Sequence, residues 1–246
     1  MVLKFITFGS HNDGIHSNYI DAGIRLANQV KELKIFDELI VYTGDSLKSD
    51  IEFWNKHQEF ITNNKKGYGY WLWKPYIINK TIKNMEDGDI LMYLDCGTEI
   101  EIEEKDWLEY CIEKVKTDKI IGTTASPCLE KGWNKMDLIV KLNMNDDKYL
   151  NTVQRQGGAN IYLICNETRY LINKWYDLAC DYHNIDDSQS VLPNLSSFSE
   201  HRHDQAIFSL LTKKYDIYSD VKLDDKCIKI YRNKNGVSML QYYKNK

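Results

Sequence analysis

The chain has 246 residues, of which 43% are hydrophobic and 28% charged, and its formal net charge is −4. This length fits one sizeable α/β domain or two small ones, and the composition is that of a globular protein. The weak acidic balance argues against wholesale binding of nucleic acid, because nucleic-acid-binding domains are usually basic.

The six cysteines are scattered along the chain without a CxxC pair. This favours a reduced, cytosolic protein and argues against a zinc site. The first residues turn polar too early for a signal peptide, and no apolar run approaches the roughly 20 residues that span a bilayer. The sequence therefore predicts a cytoplasmic location, no integral membrane segment, and only peripheral contact with any membrane.

The first part of the chain has the pattern of a βαβ unit. Strands are predicted over residues 2–8 and 38–42, with an amphipathic helix over residues 18–33 between them. The loop at residues 9–17 contains no GxGxxG motif, so the dinucleotide-binding fingerprint is absent. A further helix is predicted over residues 48–60.

An aromatic, glycine-rich segment follows at residues 67–76, ahead of a helix predicted over residues 75–85. Its rings cannot all be buried inside one turn, so some are expected to form a wall against which a flat ring stacks. Lys74 lies at the start of the helix, where backbone N–H groups and the helix dipole favour a bound anion. The alternative is an aromatic core cluster with a lysine that extends its ammonium group to the surface.

Asp95 ends an unbroken apolar strand, residues 90–94, which is typical of a central strand covered on both faces. In open α/β sheets, ligands bind in the crevice outside the carboxyl ends of the strands. Asp95 is therefore a candidate site residue, and Gly97 lets backbone or ligand approach closely. The alternative is an ordinary helix N-cap.

The second half alternates helices and strands without repeats or a separating linker. The predicted helices cover residues 104–116, 134–142, 168–182 and 204–214, and the predicted strands cover residues 119–123, 160–165 and 227–231. Within it, QGG at residues 156–158 and HRHDQ at residues 201–205 combine glycine, histidine and carboxylate side chains near predicted element ends.

Five segments then occur in a characteristic order: 67–78 (GYGYWLWKPYII), 88–97 (GDILMYLDCG), 133–137 (WNKMD), 156–158 (QGG) and 201–209 (HRHDQAIFS). Together they resemble a family of GT-A fold glycosyltransferases found in bacterial surface-polysaccharide clusters and in large DNA viruses. The resemblance covers most of the chain, and its first segment is the most specific.

The resemblance implies an α/β fold, with a GT-A-like, Rossmann-like mixed sheet flanked by helices in a single domain over residues 1–246. It also implies a nucleotide-binding half at about 1–125 and an acceptor-side half at about 126–246. The expected ligands are a UDP- or GDP-sugar donor and a glycan acceptor with a free hydroxyl group. It leaves open the donor base and sugar, the acceptor, and retention or inversion at the anomeric carbon.

The resemblance also implies a divalent cation, Mn²⁺ or Mg²⁺, at the donor diphosphate. Asp95 would match the first carboxylate of the family's DxD-type motif. Here the motif reads Asp95, Cys96, Gly97, so the second carboxylate is missing. Either another side chain completes the metal site, for which His203 is the candidate, or Lys74 and backbone N–H groups share the charge.

Asp204 is the second catalytic candidate beside Asp95, either as a general base on the acceptor hydroxyl or as a group that orients sugar hydroxyls. Helix capping explains it as well. The QGG segment lets the backbone approach the transferred sugar, or else forms a tight turn with positive φ. The donor-binding candidates are Thr7, Phe8, Gly9, Ser10, Tyr70, Trp73, Lys74, Cys96, Gly97, Gln156, Gly157, Gly158 and Gln205.

Two other functional classes stay open. A nucleotidyltransferase normally has a glycine-rich basic loop after its first strand, whereas residues 9–17 contain no Lys or Arg. A non-catalytic nucleotide- or glycan-binding relative is the other class, because Gly97 stands where a second carboxylate is expected. Some polar residues are explained equally well by turns, solvated surface or chance: Asp45, Lys135, Asp137, His11, His16, His57 and His183.

Overall fold

A computed structural model of the chain describes residues 1–10 and 18–244. His11, His16 and most of the predicted loop at residues 9–17 lie outside the described residues. The strands are β1 (Leu3–Gly9), β2 (Glu38–Thr43), β3 (Ile90–Leu94), β4 (Thr98–Ile100), β5 (Ile120–Leu129), β6 (Val153–Leu163) and β7 (Ile228–Ile230). The α-helices are α1 (Tyr19–Leu33), α2 (Gly44–Ser49), α3 (Ile51–Asn63), α4 (Gly67–Tyr70), α5 (Trp73–Ile82), α6 (Lys105–Asp118), α7 (Glu130–Trp133), α8 (Met136–Lys141), α9 (Asp147–Leu150), α10 (Asn166–Ala179), α11 (His203–Tyr215) and α12 (Met239–Lys244).

The main sheet has five strands in the order β2-β1-β3-β6-β5. Strands β2, β1 and β3 are parallel, whereas β6 is antiparallel to β3 and β5 is antiparallel to β6. The predicted α/β domain with a mixed sheet flanked by helices is therefore confirmed, as is the βαβ unit of β1, α1 and β2. Strands from both predicted halves join this one sheet, and β4 pairs with β7 in a separate small one.

Strand β3 is apolar throughout because both of its faces are covered. Leu91 and Tyr93 pack into a core cluster formed with α5, α10 and α11. Ile90, Met92 and Leu94 face the opposite way and pack with α1 and α6. All five side chains are fully buried, so the end of β3 is held from both sides of the sheet.

Several predicted boundaries are wrong for local reasons. The helix expected over residues 48–60 is divided into α2 and α3, because Asp50 accepts a hydrogen bond from the Phe53 N–H (3.2 Å) and caps a new helix. Helix α5 begins before Pro75, which still falls in the first turn, where its missing N–H costs nothing. Strand β6 begins at Val153, so the QGG segment lies inside a strand.

The chain also continues beyond its last predicted strand. Residues 231–244, here called the C-terminal segment, run back along β4 and end in α12. No helix in the described part of the chain has the length and apolar character needed to cross a membrane.

Glu99 in β4 holds the C-terminal segment in place. Its fully buried carboxylate pairs with Arg25 (Nη1–Oε1, 2.7 Å) and accepts hydrogen bonds from Asn233 Nδ2 (2.7 Å) and Ser238 Oγ (2.5 Å). The first two backbone N–H groups of α12 add bonds of 2.8 and 3.1 Å. Burial acts to raise the pKa of Glu99, but the hydrogen bonds outweigh it and keep the pKa below its ordinary value.

Candidate functional site

A cleft of about 500 Å³ opens at the edge of the main sheet where β1 and β3 end. Parallel strands bring their carboxyl ends to one edge, which is where α/β sheets bind ligands. The predicted site residues that line the cleft are Phe8, Ser10, Trp73, Lys74, Asp95, Cys96, Gly97, Gln156, Gly158, His203, Asp204 and Gln205.

Asp95 stands on the floor of the cleft, directly after β3, with its side chain 44% exposed. Its Oδ1 accepts a hydrogen bond from the Tyr93 hydroxyl (2.5 Å) and lies 3.2 Å from Lys74 Nζ. The chain then turns into β4, with the Thr98 N–H donating to the Asp95 carbonyl (2.9 Å). No helix begins here, so the N-cap alternative is wrong.

Lys74 lies between two carboxylates. Its side chain is only 4% exposed, and its ammonium group is 3.2 Å from Asp95 Oδ1 and 3.3 Å from Asp204 Oδ2. Burial acts to lower the pKa of Lys74, but the charges of Asp204 and Asp95 outweigh it and raise the pKa above its ordinary value. The ammonium group is therefore buried and paired, in contrast to the surface position expected of an extended lysine.

Asp204 is the second residue of α11 and is almost completely buried. Burial raises its pKa to about 6, which the Lys74 charge opposes and the Asp95 charge reinforces. The N-cap residue Arg202 makes no side-chain cap bond, and Asp204 lies in the first turn, where a carboxylate is also favourable for the helix dipole. Its backbone carbonyl accepts a hydrogen bond from Trp175 Nε1 (2.9 Å), which fixes the start of α11 against α10.

The glycines of the QGG segment make room for the two carboxylates. A Cβ atom at Gly158 would lie 2.4 Å from Asp95 Oδ2, and one at Gly157 would lie 3.3 Å from Asp204 Oδ2. Neither glycine has a positive φ, so the tight-turn alternative is wrong. Glycine is needed at position 97 for a different reason, because a Cβ there would lie 2.9 Å from the Arg232 Cα. The position that lacks a second carboxylate is thus packed against the C-terminal segment.

The aromatic segment forms part of both the wall and the core. The Trp73 ring stacks on Phe8 with centroids 3.8 Å apart, and both line the cleft. Tyr68, Tyr70 and Trp71 have left-handed φ angles of 54°, 51° and 60°. Such angles are costly for bulky residues and mark a segment held by its surroundings.

Four predicted donor-binding residues do not line the cleft: Thr7, Gly9, Tyr70 and Gly157. The Thr7 hydroxyl is buried and donates to the Leu94 carbonyl (2.7 Å), so it joins β1 to β3 behind the site. A Cβ at Gly9 would lie 2.1 Å from the Tyr19 carbonyl oxygen. Among the lining residues, burial raises the pKa of the Cys96 thiol to about 12, so it stays neutral.

The residues present do not fit a divalent cation held by the protein alone. His203 directs Nδ1 at the Ile185 carbonyl oxygen (2.7 Å), and its Nε2 lies 3.8 Å from Asp187 Oδ1. Among residues 1–10 and 18–244, no three or more His, Cys, Asp or Glu side chains are grouped to hold a metal. Lys74 already supplies the positive charge between the two catalytic candidates. The metal roles of Asp95 and His203 stay predictions.

Sequence reasoning missed the contribution of the C-terminal segment. Arg232 and Lys234 line the cleft, although the sequence shows only two cations after a short strand. Lys135 and Asp137 have structural partners instead. Lys135 Nζ lies 2.8 Å from Asp186 Oδ1, and Asp137 Oδ2 lies 2.9 Å from His183 Nε2.

No protein-family model matches this sequence, and no curated protein is significantly similar to it. Among solved structures, the chain is similar to mouse xyloside xylosyltransferase 1, with a TM-score of 0.47, 10% identity, and coverage of 90% of this chain and 85% of that one. It is similar to the bifunctional glycosyltransferase WbbM, with a TM-score of 0.47 and 12% identity over 89% of this chain, but it spans only 38% of WbbM. It is also similar to 4-diphosphocytidyl-2C-methyl-D-erythritol synthase from Anaerococcus prevotii, with a TM-score of 0.34, 9% identity, and coverage of 87% and 98%. With TM-scores below 0.5, none of these similarities establishes a function for this chain.

Proposed function

We propose that the protein transfers a sugar from a UDP- or GDP-sugar to a hydroxyl group of a glycan acceptor. The observation that carries this proposal is the pair of carboxylates, Asp95 and Asp204, which share the buried ammonium group of Lys74 at the floor of an open cleft. Buried charges with a strongly shifted pKa, grouped in a cleft, are typical of functional sites. The sequence resemblance supplies the substrate class.

The cleft offers the contacts that such a donor needs. Asp95 is the accessible carboxylate, and we assign to it the binding of hydroxyl groups on the transferred sugar, for which carboxylate oxygens are good acceptors. Phe8 and Trp73 are stacked and almost completely buried, whereas Tyr68 and Trp71 are half-buried and also line the cleft. The rings of Tyr68 and Trp71 therefore offer apolar surface for the nucleotide base or a sugar face. Gln156 and Gln205 also line the cleft, with their amide nitrogens held by the Thr124 carbonyl and Gln154 Oε1, both at 2.8 Å.

In the transfer, the acceptor oxygen bonds to the anomeric carbon while the bond from that carbon to the diphosphate oxygen breaks. The electron pair of the broken bond stays with the departing nucleoside diphosphate. The acceptor hydroxyl also loses its proton, and we assign the proton to Asp204. With a pKa of about 6 this carboxylate is ionised at neutral pH, yet basic enough to take a proton.

The test measures release of nucleoside diphosphate from a panel of UDP- and GDP-sugars. Asp95→Asn keeps the shape of the side chain but removes its charge, and we expect turnover to fall at least about a hundredfold. The matched control is Asp45→Asn, since that carboxylate is 81% exposed and outside the cleft. Wild-type turnover by Asp95→Asn would contradict the proposal. Donor binding without turnover by the unmodified protein would support a binding protein instead.

A further inference from the structure

Some of the cationic side chains that line the cleft form ion pairs, and others do not. Lys66 lies 2.9 Å from Asp187, Lys74 is shared by the two catalytic candidates, and Arg202 lies 3.0 Å from Glu200. Arg232 and Lys234 differ from them, because both are exposed and neither forms an ion pair with any described residue. The charge available to an anionic ligand is therefore concentrated on the C-terminal segment.

These two cations stand next to the end of β3. The Asn233 N–H between them donates to the Gly97 carbonyl (2.9 Å), and the Arg232 Cα packs where a Gly97 side chain would be. Gly97 is two positions after Asp95, so the cations border the part of the cleft where the second carboxylate of a DxD motif is missing. A positive group therefore faces the cleft at the place where a metal ligand was expected.

The backbone that carries the cations is rigidly held. Asn233 Nδ2 donates to Glu99 (2.7 Å) and to the Val237 carbonyl (2.8 Å), and the Lys234 carbonyl accepts from the Asn18 N–H (3.1 Å). Arg232 has a left-handed φ of 54°, which is unfavourable for any residue with a side chain. Anchored, strained residues of this kind are typical of binding sites that are formed before the ligand arrives.

A diphosphate is the anion that suits this arrangement. An arginine can bind two phosphate oxygens at once through its planar guanidinium group, and a lysine adds a mobile point charge. Two positive charges on one wall balance a group of about two negative charges. The sugar end of the same donor then lies toward Asp95 and Lys74.

We propose that Arg232 and Lys234 bind the donor diphosphate and supply there the positive charge that a divalent cation provides in the family the sequence resembles. This inference rests on the proposed function, because it takes the ligand of the cleft to be a nucleotide sugar. Lys74, although closer to the catalytic candidates, is neutralised by them and contributes little net charge.

The experiment titrates UDP, GDP and inorganic pyrophosphate into the full chain by calorimetry, in EDTA and again with Mn²⁺. The variants are Arg232→Gln, Lys234→Gln and the double variant, with Lys226→Gln as the matched control. Lys226 is also exposed and lies near β7, but it does not line the cleft. Unfolding temperatures should match that of the unmodified protein, because both substituted side chains are exposed.

We expect nucleotide and pyrophosphate binding in EDTA, about a tenfold loss of affinity for each single variant, and no change for the control. Unchanged nucleotide binding by the double variant would overturn the inference and leave the proposed function standing. Nucleotide binding that requires Mn²⁺ and is unchanged by both substitutions would also overturn the inference and leave the proposed function standing. Pyrophosphate binding that the double variant loses, without any nucleotide binding, would support the anion site and overturn the proposed function. Absence of all binding would overturn both.

Discussion

Two buried charge clusters lie next to each other in this fold, and they differ in what surrounds them. Glu99 is inaccessible to solvent, and its oxygens accept hydrogen bonds from three side chains and two backbone N–H groups besides the Arg25 pairing. The cluster of Asp95, Lys74 and Asp204 is open to the cleft on one side. Within the described residues, Asp204 Oδ2 is buried without a well-aligned hydrogen bond, although it lies 3.3 Å from Lys74 Nζ.

The difference separates a structural cluster from a functional one. In a closed network all donors and acceptors are paired within the protein, and the network fixes the segment that it joins. An open cluster retains capacity for a ligand at some cost in stability, as functional sites commonly do. Substitutions in the closed cluster should therefore change stability first, and those in the open cluster should change activity first.

The largest effect is expected in the closed cluster. Glu99→Ala leaves the Arg25 charge buried without its partner, which should lower the free energy of unfolding by about 3–5 kcal/mol. Urea unfolding measures this loss, and Glu32→Ala, at an exposed position on α1, should stay within about 0.5 kcal/mol of the original protein. If Glu99→Ala were as stable as that control, the closed cluster would have no anchoring role.

In the open cluster, Lys74→Met keeps the unbranched apolar part of the side chain but removes the shared charge. It should cost about 1.5–3 kcal/mol in stability, because Asp204 is left buried without its cation. The double variant Lys74→Met, Asp204→Asn should recover part of that loss, since it removes the uncompensated charge. Additive losses in this comparison would show that the two side chains are not energetically coupled.

The two glycines of β6 provide a matched pair that should affect activity more than stability. At Gly158→Ala the new methyl group would lie 2.4 Å from Asp95 Oδ2, so the carboxylate has to move. A displacement of about 1 Å can cost about a hundredfold in turnover. Gly157→Ala is closest to Asp204 Oδ2, at 3.3 Å, and should have a smaller effect. An equal or reversed order of the two rates would contradict the assignment of Asp95 as the substrate-binding carboxylate.

The last comparison concerns pH. As a proton acceptor, Asp204 has to be ionised, so turnover should rise with pH, level off above its pKa of about 6, and fall about tenfold per unit below it. Stability changes in the opposite direction. Because the pKa of Asp204 is raised from 3.8, the folded state retains this proton more strongly, and its ionisation lowers stability between pH of about 4 and 6.

The comparison with Asp204→Asn isolates these contributions from those of other titrating groups. Between pH of about 4 and 6, turnover and the free energy of unfolding should both change with pH in the unmodified protein and change much less in Asp204→Asn. A pH profile for turnover that persists in residual Asp204→Asn activity would assign the proton to another group.

Much of the candidate site could be predicted because its residues stand at the ends of regular elements. Asp95 follows an apolar strand, Lys74 begins a helix, and Asp204 lies in the first turn of another. Their contact with each other was not predictable, because it depends on how α5, β3 and α11 pack. The sequence therefore indicated the components of the cluster and not its arrangement.

The parts that were missed depend on distant contacts. QGG is typical of a turn, and only the neighbouring carboxylates explain why two glycines lie inside β6. β4 is three residues long and has no periodicity to detect, yet it supplies Glu99. Because the contact between Glu99 and the C-terminal segment cannot be recognised from the local sequence, the location of Arg232 and Lys234 at the cleft could not be predicted.

The most direct test of this account is a crystal structure of the protein with UDP or GDP bound. We expect the nucleotide in the cleft at the ends of β1 and β3, with its diphosphate within hydrogen-bonding distance of Arg232 or Lys234 and its outer phosphate directed toward Asp95. A nucleotide bound away from these residues, with the cleft empty, would contradict the assignment of the cleft as a sugar-nucleotide site.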